Sequence, residues 1–186
     1  MATFWTDPNI NNPKRNFRFK VQFAESSAFA DASDLNTTDF YWAKTAQKPS
    51  FTLNSAEHNY LNHTFKFPGR ISWNDVQITM VDPGGQRGVA YALAKLLKDS
   101  GYSIPKSTSD LTTISKSASV EGVGGSTSVR VTQLNEEGEE VETWLLHNAF
   151  VTEANFGSLD YGSDELTEYS ITLKYDWADL EDSVEY

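Results

Sequence analysis

The 186-residue sequence contains no cysteine, which excludes disulfide staples, thiolate metal sites and a cysteine nucleophile. It also lacks any apolar run of the roughly 18 residues that a membrane-spanning helix needs. Its start, Met1-Ala2-Thr3-Phe4-Trp5-Thr6-Asp7-Pro8, has neither the basic nor the apolar region of a secretory leader. The expectation is a soluble chain made in a cytoplasm, without membrane insertion of its own. Histidines number three, His58, His63 and His147, and none stands with carboxylates at a metal-ligand spacing. No metal and no cofactor are therefore expected.

Catalytic motifs are equally scarce. Asp82-Pro83-Gly84-Gly85-Gln86-Arg87-Gly88 lacks the Lys-Ser/Thr ending of a P-loop and the glycine spacing of a dinucleotide site, and a strand-to-helix turn explains it better. Gly122-Val123-Gly124-Gly125-Ser126 is loop composition, with no strand-serine-helix context around its serine. Asp160, Asp164, Glu165 and Glu168 have the chemistry of a glycosidase acid-base pair, but only if the fold brings two of them into one cleft. With fifteen acids between residues 135 and 186, proximity by chance is expected. No catalytic residue is assigned.

Charge is present in quantity and unevenly placed. The net charge is −11; residues 135–186 carry fifteen Asp or Glu and only Lys174, whereas residues 1–134 carry eleven acids and fourteen bases. A surface of that sign repels phosphate and disfavours tight nucleic-acid binding by counterion release, while remaining compatible with nucleic acid sliding past. The acidic portion is either a solvated face or one half of a head-to-tail contact between copies with opposite charges.

The dominant pattern is period-two alternation. Phe17, Phe19, Val21 and Phe23 alternate with Arg18, Lys20 and Gln22, the mark of a strand with one buried face. Similar alternation recurs at Tyr60–Phe67, Trp73–Val81 and Ser128–Leu134, with shorter strands at Asp39–Thr45 and Ser50–Ser55. From Thr167 to Trp177 one long strand is expected, with Thr167, Tyr169, Ile171, Leu173, Tyr175 and Trp177 on an apolar face. Glu168, Ser170, Thr172, Lys174 and Asp176 form its polar face. Glu136-Glu137-Gly138-Glu139 reads as the turn of a hairpin whose second strand is Val141–Leu146.

One helix interrupts the strands, over about residues 83–99. Val89, Leu93, Leu96 and Leu97 share a stripe, Lys95 and Lys98 fall in the last turn, and Gly101 stands just beyond. Asp82-Pro83 can cap its start, although Gly84, Gly85 and Gly88 argue for a beginning nearer Gln86. Two stretches read as long loops inside a single domain spanning 1–186: residues 24–38, and residues 100–127, which are either an interaction surface or a plain surface insertion.

A mainly β chain with long amphipathic strands has unpaired edges to manage. Sharing strands between copies around a closed ring removes those edges, and a stacking surface then propagates the ring into a tube. A monomeric sandwich that binds carbohydrate through its aromatic residues is the alternative from another class.

His147-Asn148-Ala149-Phe150-Val151-Thr152, Gly157-Ser158-Leu159-Asp160-Tyr161, Ser163-Asp164-Glu165-Leu166-Thr167-Glu168 and Ser170-Ile171-Thr172-Leu173-Lys174-Tyr175-Asp176-Trp177 follow one another in an order that resembles the closing segment of the tail tube proteins of contractile-tailed bacteriophages. Val151 stands where that family often has proline, and Asp164 where it often has asparagine. Phe67-Pro68-Gly69-Arg70-Ile71-Ser72-Trp73-Asn74-Asp75-Val76 and the strand that follows, up to Asp82, are similar to the family's turn and strand before its helix. The resemblance covers roughly residues 14–23, 59–99 and 127–180.

The resemblance implies an antiparallel β-sandwich or barrel-like subunit with one flanking helix, whose strands are shared in a ring-wide barrel on oligomerisation. It implies a non-enzymatic virion protein: homohexameric rings stacked into the inner tube of a phage tail, assembled in the host cytoplasm, with an acidic lumen through which DNA passes into the host. Implied partners are further copies of the chain, the tail sheath, baseplate or tube-initiator and tail terminator proteins, and the tape measure protein and genomic DNA transiently in the lumen. Glu168, Ser170, Thr172 and Lys174 become lumen-facing candidates, and the amino-terminal arm or residues 31–58 candidates for ring-to-ring contact. The inner tube or tube initiator of a contractile injection or secretion system is the nearest alternative.

Overall fold

The computed structural model describes residues 13–23, 42–84, 87–123, 125 and 129–181. The amino-terminal arm and the expected loop 24–38 lie outside them, as do residues 39–41 of the strand expected at Asp39–Thr45. In chain order the described residues form β1 (Phe19–Phe23), β2 (Ala43–Ala46), β3 (Phe51–Tyr60), β4 (His63–Trp73), β5 (Val76–Val81), α1 (Val89–Asp99), α2 (Lys116–Val123), β6 (Val129–Leu134), β7 (Glu140–His147), β8 (Phe150–Asn155), β9 (Glu168–Lys174) and β10 (Trp177–Glu181).

The strands make a sheet in the order β1-β6-β7-β10, another in the order β2-β5-β9-β8, and a separate hairpin β3-β4, all antiparallel. The fold is thus mainly β, as the alternation indicates. Val21, Phe23, Val129 and Leu146 of the first sheet pack in one cluster with Val76, Ile78, Met80, Ile171 and Leu173 of the second. Alternate residues along the strands of these two sheets face this core because the pleat sends successive side chains to opposite faces.

Helix α1 covers one side of the sandwich, burying Val89, Ala92, Leu93 and Leu96 at spacings of three and four. It starts later than residue 83. Gly88, in extended conformation and without a side-chain cap, precedes it, while the Asp82 carboxylate accepts the Gly84 N–H at 3.1 Å instead of capping the helix. The far end matches the reading: Ser100 donates through N–H and hydroxyl to the Leu96 carbonyl at 2.9 and 2.8 Å, and Gly101 has φ +94°.

The expectation of a single helix is wrong, because the stretch 100–127 contains α2. Ser115 Oγ caps it by accepting the Ala118 N–H at 3.2 Å. Its buried residues are Ser119, Gly122 and Val123, and Gly122 faces the carbonyl of Leu96 on α1. A face so small and polar shows no apolar stripe.

Thr167–Trp177 is likewise two strands rather than one. β9 lies between β5 and β8, so it has partners on both sides within the chain. The chain then crosses at Tyr175-Asp176 to the other sheet, where β10 pairs with β7. Ile171 and Leu173 are fully buried and Tyr175 is 9% exposed, but Trp177 leaves their face, is 43% exposed and stacks on His147. Asp176 fastens the corner: its N–H donates to the His147 carbonyl at 3.0 Å, and its carboxylate accepts from Lys116 Nζ at 2.7 Å and Asn148 Nδ2 at 2.9 Å. The alternation across Tyr60–Phe67 also divides, folding back at Leu61-Asn62 with Leu61 at φ +51°. The 136–139 turn forms as read, with Gly138 at φ +84°.

Candidate assembly surfaces

Among the described residues the hairpin β3-β4 pairs only with itself. Its strands are ten and eleven residues long, and every residue except Trp73 is exposed. At strand rise it reaches about 30 Å. Its base is anchored by the Asn74 N–H donating to the Ser50 carbonyl at 2.9 Å, by Phe51 edge-on to Trp73 and by Trp73 against Tyr175.

The register assigns the hairpin two faces. Phe51 is opposite Trp73 and Leu53 opposite Ile71; the pairing then shifts, and beyond the shift Ala56 is opposite Phe67, His58 opposite Phe65 and Tyr60 opposite His63. An extra residue in β4 moves the apolar row to the opposite face, as a bulge does. Gly69 sits at the bulge, where a Cβ would come within 2.9 Å of the Asn54 carbonyl oxygen. The polar row beyond the bulge satisfies itself, with Lys66 Nζ 3.5 Å from Glu57 and Thr64 Oγ1 donating to Asn59 at 2.7 Å. The apolar row stays uncovered: Phe65, Phe67 and Tyr60 are 46%, 54% and 63% exposed.

The second surface is the outer face of β2-β5-β9-β8. Glu168, Ser170, Thr172 and Lys174 point away from the core because the Ile171 and Leu173 between them are buried. Opposite them lie Gln77 and Thr79 on β5 and Glu153 and Asn155 on β8. The middle of this face is mostly hydroxyl and amide. At one end Glu168 pairs with Lys44, whose ammonium is held above its ordinary pKa by that hydrogen bond and charge. At the other, Lys174 Nζ lies 3.9 Å from Asp75. The sheet ends at β2 and β8, whose outer edges carry no further strand among the described residues.

A polar clasp that sequence reading missed ties the hairpin to the first sheet. Glu142 of β7 accepts from Lys14, from Lys48 at 2.7 Å and from Trp144 Nε1 at 2.7 Å, and Lys48 also donates to Gln133 at 2.6 Å. Partial burial raises the Glu142 pKa, but the donated bonds of Lys14, Lys48 and Trp144 outweigh it and hold the carboxyl at about 2. Lys48 lies just before β3, so the clasp sets where the hairpin leaves the body. Residues this far apart in sequence form no motif; the only signal was a cluster of bases before β1 and of acids around β7. Arg18 pairs with Glu136 at 3.4 Å and Lys20 with Glu140 at 2.7 Å, so part of the charge asymmetry is satisfied within one chain.

Glu165 and Glu168 both act on Lys44, and the other candidates engage in local contacts. Asp160 accepts the Gly162 N–H at 2.9 Å in a local turn, the Glu165 N–H donates to Ser163 Oγ at 3.3 Å, and Glu168 is engaged with Lys44. His63 lies edge-on to Phe65 in the hairpin, and His147 stacks on Trp177 with Nε2 3.0 Å from Asp179 but out of line for a hydrogen bond. No group of three His, Asp or Glu able to hold a metal forms among the described residues.

Residues 15–178 match the family model of T4-like virus tail tube protein gp19. No curated protein matches. Among solved structures, a chain of the anti-feeding prophage cap, the tube terminating cap, is similar with TM-score 0.64 at 19% identity, over 98% of this chain and 100% of the other. A chain of the sheath/tube terminator of PVC, an extracellular contractile injection system, is similar with TM-score 0.63 at 18% identity, over 93% and 99%. A chain of the sheath-tube complex of PVC in its extended state is similar with TM-score 0.62 at 18% identity, over 92% and 93%. These likenesses are of fold.

Proposed function

The chain belongs to the T4-like virus tail tube protein family, and from that premise we propose that its copies close into hexameric rings that stack as the inner tube of a contractile phage tail, a conduit for DNA into the host. The observation that carries this reading is the hairpin β3-β4. An aromatic row of that length left in water costs free energy in a lone chain, at about 25 cal/mol for each Å² of apolar surface. A second copy covers it.

Ring closure also accounts for the second sheet. Its outer edges, β2 and β8, can pair with those of neighbouring copies, which leaves no edge once the ring is complete. The face bearing Glu168, Ser170, Thr172 and Lys174 then lines the channel. A surface of hydroxyls and amides, with opposite charges set against each other at its ends, gives a polyanion few places to adhere. Sheath, baseplate and terminator proteins contact the outside and ends of such a tube, and the tape measure protein precedes the genome within it.

Light scattering on the eluate of a size-exclusion column tests the role of the hairpin. The wild-type chain is expected as a multimer of ring mass or larger. Phe65→Ser with Phe67→Ser, both exposed in the single chain, is expected to keep the native circular dichroism and elute as one chain. An undiminished multimer in that variant contradicts the assignment.

A further inference from the structure

Every residue of the hairpin β3-β4 except Trp73 is exposed, so the body holds it at its root. The contacts there are of two kinds. One kind ties the two strands to each other: Asn74 donates through N–H to the Ser50 carbonyl at 2.9 Å and through Nδ2 to Ser50 Oγ at 3.0 Å, and Phe51 lies edge-on to Trp73. These contacts stay intact however the hairpin tilts. On the outgoing side β4 runs through Asn74 and Asp75 into β5, whose Val76 is fully buried, which makes that side a pivot. The tilt itself is opposed by the ring contact of Trp73 with Tyr175, centroids 5.9 Å apart, and by Lys48 on the incoming side.

Lys48 differs from the other contacts in being directional. Gln47 still belongs to the second sheet, its N–H donating to the Gln77 carbonyl at 3.0 Å. The Lys48 ammonium instead crosses to the first sheet, donating to Glu142 on β7 at 2.7 Å and to Gln133 on β6 at 2.6 Å. Both acceptors are fixed in place. Glu142 also accepts from Lys14 and from Trp144 Nε1 at 2.7 Å, and the buried Gln133 donates to the Arg15 carbonyl at 3.2 Å. Charge-assisted bonds of this kind are short and strong. Between Lys48 and the hairpin stand Pro49, whose ring fixes its own φ and keeps Lys48 extended, and Ser50, so the angle set at Lys48 passes to β3 with little slack. The length of the hairpin makes that angle matter. A rotation of about 10° at the root moves a tip about 30 Å away by about 5 Å, more than the separation of about 4 Å at which apolar atoms touch.

We propose that Glu142 and Lys48 are positioning residues for assembly: their pairing aims the hairpin, so that the row of Tyr60, Phe65 and Phe67 meets the neighbouring copy already oriented. The inference rests on the tube reading and deepens it. Neither residue has to touch the neighbour. Both act by raising the fraction of chains whose hairpin is correctly placed, and apparent association weakens in proportion as that fraction falls.

Two readouts together test it. Glu142→Gln and, separately, Lys48→Gln are expected to keep the native circular dichroism while raising the protein concentration at which rings or tubes appear in the electron microscope by about tenfold. Leu93→Val, which trims the core under α1 and so destabilises the fold away from the clasp, is expected to assemble at the wild-type concentration. The chain has no cysteine, so Asn62→Cys in the hairpin turn and Ala94→Cys on the exposed side of α1 accept spin labels without background. In the Phe65→Ser, Phe67→Ser background, expected to stay a single chain, dipolar spectroscopy is expected to give one narrow distance with the clasp intact. With Glu142→Gln added, the distribution is expected to broaden by about 5 Å. An unchanged assembly concentration in either clasp variant, an equal rise in Leu93→Val, or an unchanged distance distribution overturns the proposal and leaves the tube reading intact. A wild-type chain that forms neither rings nor tubes defeats the tube reading itself and this proposal with it.

Discussion

Among single residues, Glu142 bears most on where the hairpin sits. Its folded pKa of about 2 lies below the ordinary 4.5. A depressed carboxyl contributes stability that is fully present above its unfolded pKa and is lost as pH falls through the folded value. The window is therefore from about pH 4.5 down to 2. Its side chain is only 15% exposed, but both lysines that hold it are about half exposed, and screening discounts the gain to about 1 to 2 kcal/mol. Denaturant unfolding of Glu142→Gln is expected to show that loss at pH 7, with a flatter decline than wild type between pH 4.5 and 2.5. Parallel curves for the two proteins would remove the clasp from the account. Neither Lys14 nor Lys48 was legible as a partner of Glu142, because sequence order carries no information about which turns come together.

At the scale of elements, what the sequence shows is what alternates. β1, β5 and β9 each bury their apolar side and β6 buries Thr132 as well, and their apolar positions, such as Val129 and Val131 or Ile171 and Leu173, are spaced by two. The polar face of β9 was legible for the same reason. The missed or misdrawn elements have other determinants. The break between β9 and β10 is made by tertiary contacts of Asp176, while Tyr175 and Trp177 continue the alternation unbroken. β8 carries a register shift between Val151 and Glu153, which blurs its period. Helix α2 buries serine and glycine, so its one sequence signal was Ser115 at the N-cap position. Ser115→Ala is expected to cost about 1 kcal/mol in denaturant unfolding, with Ser115→Asp recovering most of it. An effect below about 0.2 kcal/mol would mean that α2 is held by packing alone.

For the whole molecule, the distribution of apolar surface is the governing fact. The core is continuous from the first sheet through the second to α1. Yet Phe65, Phe67, Ile104, Leu111, Leu159, Tyr161 and Leu166 are all exposed. The alternation placed most of the strand residues but was silent about what covers the hairpin, since a strand facing another copy has the same period as one facing its own core. A self-sufficient monomer, such as the carbohydrate-binding sandwich, has no use for that much apolar surface at both ends and along the hairpin. An assembling subunit does. Family membership and this surface each support the proposed tube.

Electron microscopy of the purified chain, alone and with baseplate components added, tests that claim most directly. Hollow tubes or stacked rings, with the face of β9 that bears Ser170 and Thr172 toward the channel, are the result the account predicts. Particles of single-chain mass under both conditions, at every concentration and salt, would contradict it.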